Sequence, residues 1–303
     1  MRARLSGGAT AIVSITALAL LSPGHVSASP GHAAPDTTRA AACGTPLSAN
    51  AIDEVVELSD TSTLTGSGLV RLEAAVDRHR RITEILVAHR DWRGLFSIGL
   101  NAVEYEAVLP LQRDPVALPD RTWSPEVSYD LLARYLRNVH AEFTGAPTDP
   151  AWANYFALTK QCSSSPARVA MAGYNAHLTV DLAHAVDSSG TNPENIPEFY
   201  RIVDSIAVKG DSIVTLTKSL YDGDLGPLWR FYFVGEGLDL LAGNDQPSRT
   251  LLRAADSGYN TITLAHGFAL QNPQARTATE QQIDGLWRTT DTALQVLSDL
   301  GGL

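Results

Sequence analysis

Apolar residues recur along most of the chain at spacings of three and four, the period of a helix with one buried face. One such stripe consists of Leu69, Leu72, Val76, Thr83 and Leu86, and another of Ile283, Leu286, Trp287, Leu294 and Leu297. No segment shows the strict alternation of a half-buried strand, and no Asn-Gly or Asp-Gly hairpin turn joins two such runs. The pattern therefore predicts an all-α fold.

The predicted helices form a single-domain multi-helix bundle of about nine helices. Their expected ranges are 68–89, 92–112, 125–143, 150–161, 166–187, 194–221, 227–242, 248–270 and 278–300. Because 194–221 contains Gly210, we expect that segment to be kinked or to be two helices. A chain of this length can bury one large core, and no linker divides it.

Three helix starts are marked by a polar residue followed by proline, the combination that favours an N-cap and the first helical position. These pairs are Ser124-Pro125, Asp149-Pro150 and Ser165-Pro166. We expect each of the three polar side chains to cap its helix.

The N-terminal 28 residues have the features of an export signal. Arg2 and Arg4 form a basic region, 9–21 is a short apolar stretch, and a small-x-small site ends at Ala28. We expect a signal peptide over 1–28, a disordered leader over 29–42 and the all-α domain over 43–303. No later stretch reaches the length of a membrane span. The sequence thus predicts a secreted protein with no stable membrane anchor.

The chain contains two cysteines, Cys43 and Cys162. In an exported protein a disulfide is the first expectation, and it would close a loop of about 120 residues, worth roughly 4 to 5 kcal/mol on the chain-entropy model. The alternative is two reduced thiols or a pair of metal ligands.

The net charge and the motifs of the chain reduce the number of function classes to consider. The formal net charge of −10 argues against nucleic acid or an anionic membrane as a partner. The chain has no Gly-x-Ser-x-Gly elbow, phosphate-binding glycine loop, dinucleotide fingerprint or His-Glu-x-x-His motif. It therefore falls outside the enzyme classes that such motifs identify.

The segment 166–187 is apolar nearly all round yet contains His177 and Asp181, four residues apart and so on one helix face. A buried helix has no free place for a charge. The two side chains are therefore paired with each other to fix helix packing, or form two ligands of a metal ion, or act as a base and its orienting carboxylate.

Other polar residues are candidates to complete a site. Glu104 lies in an apolar helix and is a second buried carboxylate, or else part of a solvent-facing stripe with Ser97 and Asn101. We expect His79 to be a histidine at the edge of the core. The roles of three further histidines stay open: His140, which would fit as a cap at a helix end, His184 and His266.

The stretch Gly173-Tyr-Asn-Ala-His-Leu-Thr-Val-Asp-Leu182 resembles the hallmark of an uncharacterised family common in actinobacteria, catalogued as a domain of unknown function. The resemblance covers about 90–220 and implies a functional centre at Asn175, His177 and Asp181. A His-x-x-x-Asp on a buried helix is also similar to the zinc helices of the phospholipase C and P1 nuclease group. This chain lacks the further ligands of that group, so the similarity implies at most one divalent ion, with zinc the first choice.

Three functions follow. The first is a secreted hydrolase acting on a small ester or phosphoester, with catalytic roles for His177, Asp181, Asn175 and Glu104, and with metal bound by the first two. The second is a binding protein for an apolar small molecule (a lipid, terpenoid or polyketide), or a metal-free biosynthetic enzyme using the same pocket. The third is a structural helical module.

Overall fold

The computed structural model describes residues 41–225 and 246–303, and all the regular structure within them is helical. The ten helices of these residues are α1 Ala49–Ser59, α2 Gly68–Ala88, α3 94–113, α4 Trp123–Thr144, α5 Pro150–Leu158, α6 166–188, α7 Ile196–Ala207, α8 Gly210–Tyr221, α9 Gln246–Leu270 and α10 Arg276–Asp299. The prediction of an all-α multi-helix domain is confirmed.

The helix count differs from the predicted nine for local reasons. The segment 194–221 is two helices, because α7 ends at Ala207 and α8 begins at Gly210. Helix α1 was not predicted from the sequence. The predicted helix 227–242 lies outside the described residues, as do the signal peptide and nearly all of the leader.

The proline-marked starts are confirmed at α5 and α6, but only one of the three predicted caps forms. Ser165 accepts hydrogen bonds from the backbone N–H groups of Ala167 and Arg168. The Asp149 side chain does not cap α5 and accepts instead from Asn138 Nδ2, at 3.0 Å. At α4 the helix begins at Trp123, ahead of the expected proline, and its first N–H donates to the Asp120 side chain, at 2.9 Å.

The core is built around aromatic side chains that α3, α4 and α5 contribute to one cluster. Phe96 packs edge-on against Tyr135 and Trp152, with ring centroids 5.0 and 5.3 Å apart. Helix α6 runs past this cluster and also contacts α9 and α10, so nearly every face of it is covered. This position explains why its sequence is apolar almost all round.

The disulfide prediction is confirmed, since Cys43 and Cys162 are bonded with their Cα atoms 5.5 Å apart. The bond joins the arm that precedes α1 to the segment after α5. Backbone hydrogen bonds run beside it, including one from Cys43 N to Thr159 O of 2.9 Å. Among the helices that the structure describes, none is both long and apolar enough to cross a bilayer.

Candidate functional site: an apolar cavity between the helices

A cavity of about 290 Å³ lies inside the bundle, with walls from α2, α3, α4 and α6 to α10. Most of its lining is aliphatic or aromatic, including Leu100, Val103, Leu132, Met171, Ile202 and Leu294. The polar side chains that reach it are few, among them Glu104, Asn175, His177, Tyr259 and Asn260. An apolar hollow with a few convergent polar groups is the usual form of a small-molecule site.

Two of the helices that line the cavity are interrupted by a π-helical turn, and each turn carries a polar wall residue. In α3 the turn is Glu104–Val108, and in α6 it is Ala176–Asp181. Pro110 accounts for the first, because it has no N–H for the carbonyl of Glu106 and its ring would crowd that carbonyl in a regular helix. Such turns often occur at functional sites.

His177 and Asp181 lie together on the second π turn, and both are almost completely buried. His177 Nδ1 is 3.6 Å from Asp181 Oδ2, which is an ion-pair distance but too long for a hydrogen bond. Asp181 Oδ2 accepts instead from Trp152 Nε1, at 2.9 Å. Within the described part of the chain, His177 Nδ1 has no hydrogen-bond partner. His177 Nδ1 therefore faces the carboxyl group of Asp181 at slightly more than hydrogen-bond distance, and the His177 side chain lines the cavity.

The burial of Asp181 should make the free energy of unfolding depend on pH, and Asp181→Asn should remove that dependence. Burial raises the pKa of Asp181 above its ordinary 3.8, against the smaller opposing effects of His177 and Trp152. The folded state therefore holds this proton more tightly than the unfolded state, so the free energy of unfolding falls as the pH rises from 3.8 through the raised value. Each unit of such a pKa difference is worth about 1.4 kcal/mol.

Asparagine does not titrate and can still accept from Trp152, so the stability of Asp181→Asn relative to the wild type should increase with pH. Burial lowers the pKa of His184, which gives the opposite slope in both proteins. The charge of Asp181 partly opposes that lowering, so its loss in the variant lowers the pKa of His184 further and adds to the expected difference. Urea unfolding of both proteins from pH 4 to pH 8 measures the difference. Parallel stability curves would contradict the assignment.

Asn175 is brought to the same wall but is already bonded at both ends of its amide. Its Nδ2 donates to Trp287 O at 3.0 Å, and its Oδ1 accepts from Thr179 Oγ1 at 2.8 Å. The Thr179 hydroxyl is also hydrogen-bonded to the Tyr259 hydroxyl. This chain of bonds ties α6 to α9 and α10 behind the cavity.

Glu104 is 5% exposed, so it does not belong to a solvent-facing stripe. Its Oε2 is 2.7 Å from Nδ1 of His79, and Nε2 of His79 is 2.8 Å from Ser97 Oγ. The expectation that His79 lies at the edge of the core is wrong, because its exposure is 0%. The only feature of the sequence that points to His79 is that this polar residue interrupts the apolar stripe of α2.

The three histidines of open role lie elsewhere. His140 Nδ1 is 3.0 Å from Val56 O, so the side chain joins α4 to α1 rather than capping its own helix. His184 and His266 are absent from the cavity lining among the described residues, and burial lowers the pKa of both. None of the three is brought to the polar groups of the cavity.

A divalent ion at His177 and Asp181 would find two protein ligands there. Zinc sites in proteins use three or four. In residues 41–225 and 246–303, no group of three or more His, Cys, Asp or Glu side chains is arranged to hold a metal ion. The donor set therefore does not fit a zinc centre built from the described residues, and a bound ion stays a prediction.

Fold and site together define an all-α protein with an apolar cavity between its helices. Residues 72–211 match the model of a family described as a family of unknown function (DUF5995). The match includes both π turns, whereas Tyr259 and Leu294 of the cavity wall lie beyond it. No curated protein and no solved structure matches the chain. The hallmark pattern and the similarity to the zinc nuclease group therefore stay predictions.

Proposed function

We propose that this chain is an exported protein that binds an apolar small molecule in its cavity. The observation that carries the proposal is the cavity itself, whose volume of about 290 Å³ is near the lower end of the range of about 300–1,000 Å³ for ligand pockets. The cavity is partly open to solvent, so its apolar lining is exposed to water. A bound lipid, terpenoid or polyketide would remove that apolar surface from water.

Polar residues in the cavity wall would orient such a ligand through hydrogen bonds. His177 lines the cavity, so its imidazole supplies one polar group to the wall. Glu104 supplies a second polar group on the same wall. We infer that the ligand is mostly hydrocarbon, with few polar groups.

We expect Ala207→Trp to weaken binding of an apolar dye at least tenfold, about 1.4 kcal/mol, because the indole would occupy much of the cavity. Ala207 ends α7 and lines the cavity. The matched control is Val208→Trp at the next position, which is 59% exposed and outside the lining. Dye titration of the three proteins, with native mass spectrometry of each for co-purified ligand, makes the measurement. Equal binding by all three would contradict the proposal.

A second candidate is hydrolysis of a small ester or phosphoester in the same cavity. It is favoured by His177, a buried imidazole with an unbonded nitrogen and a carboxylate 3.6 Å away, which resembles a base and its orienting group. Asn175 would then help to hold the substrate, and Glu104 would be a second carboxylate. A divalent ion on His177 and Asp181 belongs to this candidate, and elemental analysis of the wild type beside His177→Ala tests for it.

A further inference from the structure

Glu104 is the cavity end of a line of four hydrogen-bonded side chains. Oε2 of Glu104 bonds to Nδ1 of His79, and Nε2 of His79 bonds to Ser97 Oγ. Ser97 Oγ is 2.6 Å from Thr83 Oγ1, which donates in turn to the backbone carbonyl of His79, at 2.8 Å. All four side chains are buried, and the line ends on a group that can only accept.

That end point fixes the direction of every bond in the line. Thr83 has one hydroxyl proton and gives it to the carbonyl, so Ser97 must donate to Thr83. Ser97 has then used its own proton and must accept from His79, so Nε2 of His79 carries a hydrogen. The short contact between Nδ1 and Glu104 Oε2 therefore needs one further proton, held either by the imidazole or by the carboxyl group.

The remaining oxygen of Glu104 has the same role in both cases. If His79 holds the shared proton, Glu104 is a carboxylate and its Oε1 accepts hydrogen bonds. If Glu104 holds the proton, it lies on Oε2 within the bond to His79, and Oε1 is a carbonyl oxygen that again accepts. The pair is electrically neutral in either arrangement, so the wall presents an acceptor without a net charge.

The other groups around the imidazole do not change this result. Tyr135 packs edge-on to His79 with ring centroids 5.4 Å apart, and burial raises the pKa of its phenol, so it stays neutral. Phe96 packs between Tyr135 and His177 and contributes no polar group. The polarity at this part of the cavity is thus set by Glu104.

We propose that the bound molecule is an apolar alcohol whose hydroxyl group donates a hydrogen bond to Glu104 Oε1. This inference rests on the proposed binding function and narrows its ligand class. Glu104 is the residue that contacts the ligand, and His79, Ser97 and Thr83 are positioning residues that direct its acceptor oxygen. An ether of the same skeleton has no hydrogen to donate, and a carboxylate would bring acceptor oxygens against an acceptor.

The test compares decanol, decyl methyl ether and decanoate as competitors of a neutral apolar dye, with the full chain expressed with export, at pH 8. We expect decanol to bind about tenfold more tightly than either of the others, the effect of one hydrogen bond to a buried group. Equal binding of ether and alcohol, or tightest binding of decanoate, would overturn this inference while the binding function stood. Failure of the dye and all three compounds to bind would overturn both.

Variants then locate the preference. The double variant His79→Leu, Glu104→Leu removes the pair together, and the ratio of ether to alcohol affinity should approach one. Glu104→Gln can donate its amide to His79 and keep an acceptor oxygen on the cavity, so the preference for alcohol should persist. A preference that survives in the double leucine variant would assign it to another residue and overturn the proposal.

Discussion

Replacing Cys43 and Cys162 with serine should lower the free energy of unfolding by about 4 kcal/mol. The two residues are 119 positions apart, so the bond removes much of the chain entropy of the unfolded state. The folded state should change little, because the backbone of Cys43 keeps the hydrogen bonds that hold the arm against Thr159 and Trp92. Urea unfolding of the double variant beside the oxidised wild type gives the difference.

The reduced wild type is the matched control, since it has native side chains but no bond. It should unfold at nearly the same urea concentration as the double serine variant. A loss below about 1 kcal/mol in both would show that the bond is not a main source of stability. A large loss would fit a protein made for an oxidising compartment, as the predicted signal peptide implies.

The fold could be predicted from sequence because helical periodicity and proline-marked starts are local signals. The periodicity around Leu72 and Trp287 sufficed for α2 and α10, and Gly210 marked the break between α7 and α8. The caps were harder, since the partner of Asp149 is Asn138 on the preceding helix. Such a choice depends on tertiary contacts that spacing along the chain does not reveal.

Some residues of the candidate site could be proposed from the sequence, because an ionisable residue in an apolar helix is a local signal. His177 and Asp181 were identified because two ionisable residues in an apolar helix must have a partner. The bond from Trp152 to Asp181 joins residues 29 positions apart and could not be read from the helix that carries the acid. The partner of Glu104 was missed altogether, because His79 lies 25 positions earlier on a different helix. The π turns also rotate the side chains that follow them about the helix axis, which regular helical spacing does not predict.

The largest effect expected at the site comes from breaking the pair of His79 and Glu104. His79→Leu should cost about 3–5 kcal/mol of folding free energy, because it leaves a buried carboxyl group and the Ser97 hydroxyl without their partner. Glu104→Leu should also destabilise, by leaving Nδ1 of His79 unbonded. The double leucine variant removes the buried carboxyl group and Nδ1 of His79 together and leaves only Ser97 without the bond from His79, so its loss should be well below the sum of the two single losses.

Urea unfolding of the four proteins at pH 7 completes this double-mutant cycle, and a coupling energy of at least about 2 kcal/mol is expected. The control is His89→Leu at the end of the same helix, where the imidazole is half-buried and bonded to Ile85 O alone, so its cost should be under about 1 kcal/mol. Additive losses from His79 and Glu104 would contradict the shared proton. They would also remove the reason to regard Glu104 as a fixed acceptor. Strong coupling, together with loss of the alcohol preference in the double variant, would connect the stability of the pair to its role on the cavity wall. The same buried proton that links α2 to α3 would then also determine which ligand the cavity binds.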